Sequence, residues 1–123
     1  MKELKGLGVA MVTPFTKNGE VDVKGFKNLT EHIIQGGADY LVVLGTTGES
    51  VTITKEEKKI VIDTILSSNN GRKPVVLGIG GNNTREVANQ LSRTDIHGVD
   101  AILSVTPYYN KPPQSGIEAH FKA

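Results

Sequence analysis

No cysteine occurs among the 123 residues, which removes disulfides and any cysteine-ligated zinc or iron–sulfur centre from consideration. A reducing, cytoplasmic setting is the expectation. An excess of charge of one sign is missing too. Fourteen Lys and Arg stand against thirteen Asp and Glu without an acidic or basic block, so the chain offers no electrostatic footprint for nucleic acid or a charged membrane surface. Small molecules or protein are the expected partners. Long apolar runs are also lacking: "MKELKGLGVAMVTPF" is interrupted by Gly8 and closed by Pro14, carries no signal-peptide cleavage pattern, and is too short to cross a bilayer. Low-complexity tracts are absent, and the length suits one domain, residues 1–123.

What the chain does contain is a recurring unit. Four short, β-branched apolar segments, "GVAMV" (8–12), "YLVVL" (40–44), "PVVLGI" (74–79) and "AILSV" (101–105), predict strands. Their continuous apolarity, rather than alternation, predicts parallel strands covered on both faces. Helical periodicity fills the gaps. Phe26, Leu29 and Ile33 share a face between a capping Asp22 and a stop at Gly36 and Gly37. Thr54 and Glu57 form a capping-box pattern ahead of Val61 and Ile65, and Asn83 with Glu86 repeats it in a helix expected to run to Gly98. A fourth helix is expected from about Gln114.

The resulting βαβαβαβα string, with a unit of ~30 residues, demands a parallel sheet with right-handed crossovers. Either an open doubly wound sheet or part of a (β/α)8 barrel satisfies it. The loops discriminate between them. Connections entering the strands ("QGGAD", "NNGRKP", "HGVD") are plain turns, whereas those leaving them ("TPFT", "GTTGES", "GGNNT", "TPYYNKPP") concentrate hydroxyls, amides, aromatics and glycines. An open sheet enriches one or two loops at a switch point; a barrel gathers all of them at one mouth. Enrichment in all four favours the barrel, of which these would be the first four units.

Within those loops, "GTTGES" places two glycines and the hydroxyls of Thr46 and Thr47 directly after a strand, a combination suited to a small anion or a proton relay. It is no P-loop, because no lysine follows the second glycine. "GIGGNNT" lacks the third glycine of a dinucleotide fingerprint; Asn83 and Glu86 are accounted for as caps, leaving Asn82 free to face a ligand. In "TPYYNKPP", prolines stiffen a loop bearing Tyr108 and Tyr109, whose phenols can pack, donate or relay a proton. His32, His97 and His120 have no second ligand at metal spacing, so surface or capping roles are expected of them. "KEEKK" reads as a solvated helix face.

Taken in order, "VTPF", "GTTGES", "GGNNT" and "TPYYNKP" resemble the dihydrodipicolinate synthase family, one of the pyruvate-dependent class I aldolases, along the whole chain. N-acetylneuraminate lyases share the second of these motifs but depart at the fourth. The resemblance implies a (β/α)8 barrel, a homotetramer built from two tight dimers, and no metal or organic cofactor. It implies a carbon–carbon bond-forming lyase that condenses pyruvate, held as a Schiff base on a lysine, with L-aspartate 4-semialdehyde in lysine and diaminopimelate biosynthesis. Thr46 and Thr47 would hold the pyruvate carboxylate. Thr46 would also act with Tyr109 in proton relay, Tyr109 reaching across the tight dimer. Ser50, Asn82, Glu86 and Tyr108 match the lysine-inhibitor pocket of regulated members, but Lys55 and Lys58 stand where histidines are frequent, so feedback is not expected.

One departure is large: the family's further relay tyrosine, substrate arginine and Schiff-base lysine have no counterpart here. Lys111 lies in a wet loop and Lys73 at the wrong end of a strand, so neither meets the burial an imine-forming amine needs. The chain alone is therefore expected not to turn over. Two other readings stay open from the residues: a non-catalytic half barrel that binds a small carboxylate or a complementary half, and an open flavodoxin-like anion binder.

Overall fold

Leu41 and Val43 on one strand and Val75 and Leu77 on the next are almost fully buried, and they point the same way because their strands run parallel in register. This is the centre of the structure, a computed structural model describing residues 3–123. The strands are β1 (Gly8–Ala10), β2 (Tyr40–Val43), β3 (Val75–Gly78) and β4 (Ala101–Leu103), all parallel in the order β1-β2-β3-β4. Each is followed by a helix: α1 (Val23–Gln35), α2 (Lys55–Asn69), α3 (Thr84–Arg93) and α4 (Gln114–Lys122). The predicted units are all present, with strands one or two residues shorter than the apolar segments.

Local chemistry explains the helix limits. Asp22 caps α1 by accepting the Gly25 N–H at 2.8 Å, and the chain turns away at Gly36. At α2 both halves of the capping box form: the Glu57 N–H reaches Thr54 Oγ1 at 3.2 Å and the Thr54 N–H reaches Glu57 Oε2 at 2.8 Å. At α3 only half of it forms. Asn83 accepts the Glu86 N–H at 3.3 Å, while the Glu86 carboxylate lies 3.8 Å from Lys55 on α2. This helix also ends at Arg93, well before Gly98, because the Thr94 hydroxyl turns back to donate to the Gln90 carbonyl at 2.7 Å and Thr94 is extended.

Helices cover one face of the sheet. Phe26 of α1, Val61 and Ile65 of α2 and Val87 of α3 join Leu41, Val43, Leu77 and Ile102 in a single apolar cluster. Cover thins toward β4: α3 has no fully buried residue and α4 has only His120. The opposite face carries Tyr40 and Val42, half-buried, Ala10 and Leu103, exposed, and Val76, buried. Two-sided cover was the expectation from continuous apolarity, and the described residues supply it on the helix side and, on the other, at Val76. That asymmetry belongs to a barrel strand, apolar outward toward helices and inward toward the barrel centre.

Two aspartates fix the strand starts in the same way. Asp39 donates its N–H to the Leu7 carbonyl at 2.8 Å and accepts the Leu7 N–H on its carboxylate at 2.7 Å. Asp100 does the same with Val75, at 2.8 and 2.9 Å. The loops "GAD" and "GVD", plain turns on the sequence, are paired clamps that tie β2 to β1 and β4 to β3.

Candidate functional site

The rim at the carboxyl ends of the strands begins with an unusual backbone. Leu44, buried and directly after β2, takes a left-handed φ of 54°, a conformation that costs a branched residue energy and is held only when its surroundings enforce it. Its carbonyl is turned against β3 so closely that a Cβ on Gly78 would lie 2.1 Å from it. After this turn Gly45 is extended and Thr46–Gly48 form one 3-10 turn, closed by the Gly48 N–H on the Gly45 carbonyl at 3.0 Å.

The turn is then fastened to the neighbouring strand. Thr13, buried beyond the end of β1, donates its hydroxyl to the Gly48 carbonyl at 2.8 Å. Gly48 is itself buried, and a Cβ there would approach the Met11 carbonyl to 3.2 Å. Gly48 is thus consumed by packing, while Thr46 and Thr47 remain exposed with their hydroxyls available. The turn stands apart from α2, whose N-terminus lies nine residues further on and is closed by the capping box expected at Thr54 and Glu57. An anion at this turn would be held by hydroxyls and local amides, not by the α2 dipole.

Loops after β3 and β4 are joined to each other. Asn82 accepts the Tyr108 N–H on Oδ1 at 2.8 Å, so its carbonyl oxygen tethers the two loops. Tyr108 is half-exposed, and Tyr109, with a left-handed φ of 67°, is 89% exposed. No hydrogen bond joins Thr46 to Tyr109 among the described residues. Ser50 follows the threonine turn and is half-buried, and Glu86 faces Lys55. The structure therefore joins Asn82 to Tyr108 and leaves Thr46, Thr47 and Tyr109 as exposed rim groups.

Among the lysines, burial and the neighbouring Lys55 charge hold the Lys58 ammonium below the ordinary lysine range. Lys58 lines a cleft of about 380 Å³ between α2 and α3, together with Ile62, Leu77, Glu86 and Arg93, on the helix side of the sheet rather than the rim. It is not placed as a nucleophile for a rim-bound substrate. Lys73 is half-buried where the chain enters β3, and Lys111 is exposed in the tyrosine loop. His32 and His97 are exposed, as expected. His120 is not: it is buried on α4, with Nδ1 2.8 Å from Thr84 Oγ1 and its ring edge-on to Phe121. Periodicity gave no sign of this, because α4 is too short to reveal an inward face.

Residues 3–123 match the sequence profile described as the dihydrodipicolinate synthetase family. The 4-hydroxy-tetrahydrodipicolinate synthase of Flavobacterium psychrophilum is 54% identical over 122 residues, covering 99% of this chain and 42% of that protein. A crystal structure of a Bacillus anthracis dihydrodipicolinate synthase superposes with a TM-score of 0.93 at 42% identity, over 99% of this chain and 42% of that one. A chloride-inhibited dihydrodipicolinate synthase from Acinetobacter baumannii, complexed with pyruvate, superposes at 0.92 and 43% identity, over 98% and 41% of the two chains. The chain spans about two fifths of the length of the proteins it matches.

Proposed function

Since the chain belongs to the dihydrodipicolinate synthetase family, lyases of pyruvate built on a (β/α)8 barrel, we propose that residues 1–123 supply the first four βα units of such a barrel and its pyruvate-carboxylate cradle. The completed enzyme condenses pyruvate with L-aspartate 4-semialdehyde to 4-hydroxy-tetrahydrodipicolinate, in the cytoplasm and as a homotetramer. The observation that carries this reading is the threonine turn: its backbone is committed to β1 and β3, and only the two hydroxyls face outward.

Thr46 and Thr47 donate to the pyruvate carboxylate, which leaves the keto carbon exposed to an amine. That amine is a lysine outside this chain; imine formation there releases water and acidifies the methyl group, whose carbanion equivalent attacks the aldehyde. Thr46 and Tyr109 move protons between the keto oxygen and solvent. Tyr109 makes no bond to its own threonine turn and projects fully from the surface, which suits action in a neighbouring copy's site. Ser50, Asn82, Glu86 and Tyr108 stand at the positions of the lysine-inhibitor pocket of regulated members, but the Lys55 ammonium beside Glu86 and Lys58 in the same cleft oppose a further amine there, so feedback by lysine is not expected.

An NMR titration of the isotopically labelled chain with pyruvate tests the cradle. Shifts confined to residues 45–50 and abolished by Thr46→Val with Thr47→Val are expected; shifts elsewhere, or unaltered in the variant, would refute it. Borohydride with pyruvate is expected to leave the mass of the chain unchanged, because neither Lys73 nor Lys111 stands at a dry rim position.

A further inference from the structure

Between α2 and α3 the helix layer does not close. Ile62 and Leu66 of α2 face Glu86, Gln90 and Arg93 of α3 across a cleft that reaches Leu77 of β3. The cause lies in the sequence. Glu86, Gln90 and Arg93, spaced i, i+4, i+7, make a polar stripe along α3 that cannot be buried against Ile62 and Leu66. This helix accordingly keeps no fully buried residue, and the seam stays open as a volume of about 380 Å³. Small-molecule sites occupy roughly 300–1,000 Å³. Ser50, Asn82, Tyr108 and the threonine turn do not line this cleft.

Its charges are unevenly matched. Lys55, Lys58, Lys59 and Arg93 line it against Asp63, Glu86 and Asp95. All three carboxylates are engaged: Asp63 holds Lys59 at 2.6 Å, Glu86 lies 3.8 Å from Lys55, and Asp95 accepts the His97 N–H at 2.9 Å. Two cations are left over. Lys58, half-buried, and Arg93, exposed, have no ion pair among the described residues. The Lys55–Glu86 pair sets the two helices roughly level, and Lys58 lies three residues beyond Lys55 while Arg93 lies seven beyond Glu86, so the spare cations are offset by about 6 Å along the cleft.

We propose that this cleft binds a small α,ω-dicarboxylate, with one carboxylate on Lys58, the other on Arg93, and the methylene chain over Ile62, Leu66 and Leu77. A positive patch alone would admit any anion. Two spare cations set apart over an apolar floor select two carboxylates joined by carbon. Arg93 offers a planar fork to one of them and Lys58 a point charge to the other. A diamine of the same length meets four cations and is rejected. Because α3 has no buried anchor of its own, the ligand also fastens it to α2. The proposal does not rest on the pyruvate reading of the rim.

NMR and calorimetry of the isotopically labelled 123-residue chain, titrated with glutarate at constant ionic strength, test it. Saturable shifts at Lys58, Ile62, Leu66 and Arg93 are expected, with residues 45–50 unmoved. Acetate, which can engage only one of the two cations, should bind at least about tenfold more weakly, and cadaverine, a diamine of the same carbon count, should not bind. Lys58→Gln and Arg93→Gln should each weaken glutarate about tenfold, while Lys27→Gln, at an exposed position on α1, should leave its affinity unchanged. Shifts that fail to saturate, shifts at residues 45–50, equal affinity for acetate and glutarate, or binding unaltered when Lys58 and Arg93 are both replaced would overturn the proposal. The shift map and the acetate comparison use the unsubstituted chain, so they decide the matter even if a variant fails to fold.

Discussion

Thr13 and Gly48, 35 residues apart in the chain, meet in a buried 2.8 Å hydrogen bond that fixes the threonine turn to the end of β1. Because the accepting carbonyl is buried, its partner cannot be replaced by water without rearrangement. Thr13→Val keeps the shape and removes the donor, and should cost about 1–3 kcal/mol, the penalty for an unsatisfied buried carbonyl. Urea unfolding measures that cost. A pyruvate titration of the folded variant should show weaker binding, since Thr46 and Thr47 lose their fixed direction.

Gly78 and Leu44 form the second restraint on the same turn. Gly78→Ala would put a methyl 2.1 Å from the Leu44 carbonyl, on backbone that cannot step aside without abandoning the left-handed turn. A loss of about 1–3 kcal/mol or more is expected from such overpacking. Gly45→Ala is the internal control. Its φ is −75° and no atom lies within 4 Å of the added carbon, so its thermal midpoint should stay close to that of the parent.

These two restraints also show where sequence reasoning stopped. Strands, helices and their order were legible because β-branched runs, capping residues and glycine stops are local signals, and "GTTGES" stood out because polar residues followed a buried strand. The hydroxyl of Thr13 and the missing side chain of Gly78 act across the sheet, and no local pattern distinguishes them from ordinary residues. The tether from Asn82 leaves no sequence signal for the same reason, since its partner, the Tyr108 N–H, lies 26 residues away. Asp39 and Asp100 did leave a signal: Gly-x-Asp before two strands, repeated in "GAD" and "GVD". The end of α3 was misplaced because a glycine five residues downstream looked like the stop, whereas a threonine had already closed the helix.

Acid should weaken the start of α2 and the link from α1 to Arg72. The Glu57 carboxyl is held below its ordinary value of 4.5 by hydrogen bonds from Thr54, first from the backbone N–H and then from the hydroxyl. Glu31 is lowered likewise, first by Arg72 and then by Gln35. A depressed folded-state value means that the stabilisation is fully present above the unfolded-state value and is lost as pH falls through the folded one. Thermal midpoints should therefore drop from the ordinary glutamate range downward. Glu57→Gln should flatten part of that fall, and circular dichroism against pH distinguishes the two curves.

The aspartate clamps offer a comparison in which one geometry meets two degrees of burial. Each carboxylate accepts an N–H from the neighbouring strand start, at 2.7 Å for Asp39 and 2.9 Å for Asp100. Asp39 is exposed and Asp100 half-buried, so water can take over the Leu7 N–H more readily than the Val75 N–H. Asp100→Ala should therefore cost more than Asp39→Ala, about 1–2 kcal/mol against less than about 1. Asn at either position retains an acceptor oxygen and should recover most of the loss, whereas a charge-dependent role would leave Asn as damaging as Ala. Unfolding curves for the four variants settle which applies. Hydrogen exchange at Val75, whose N–H is the group released, locates the effect.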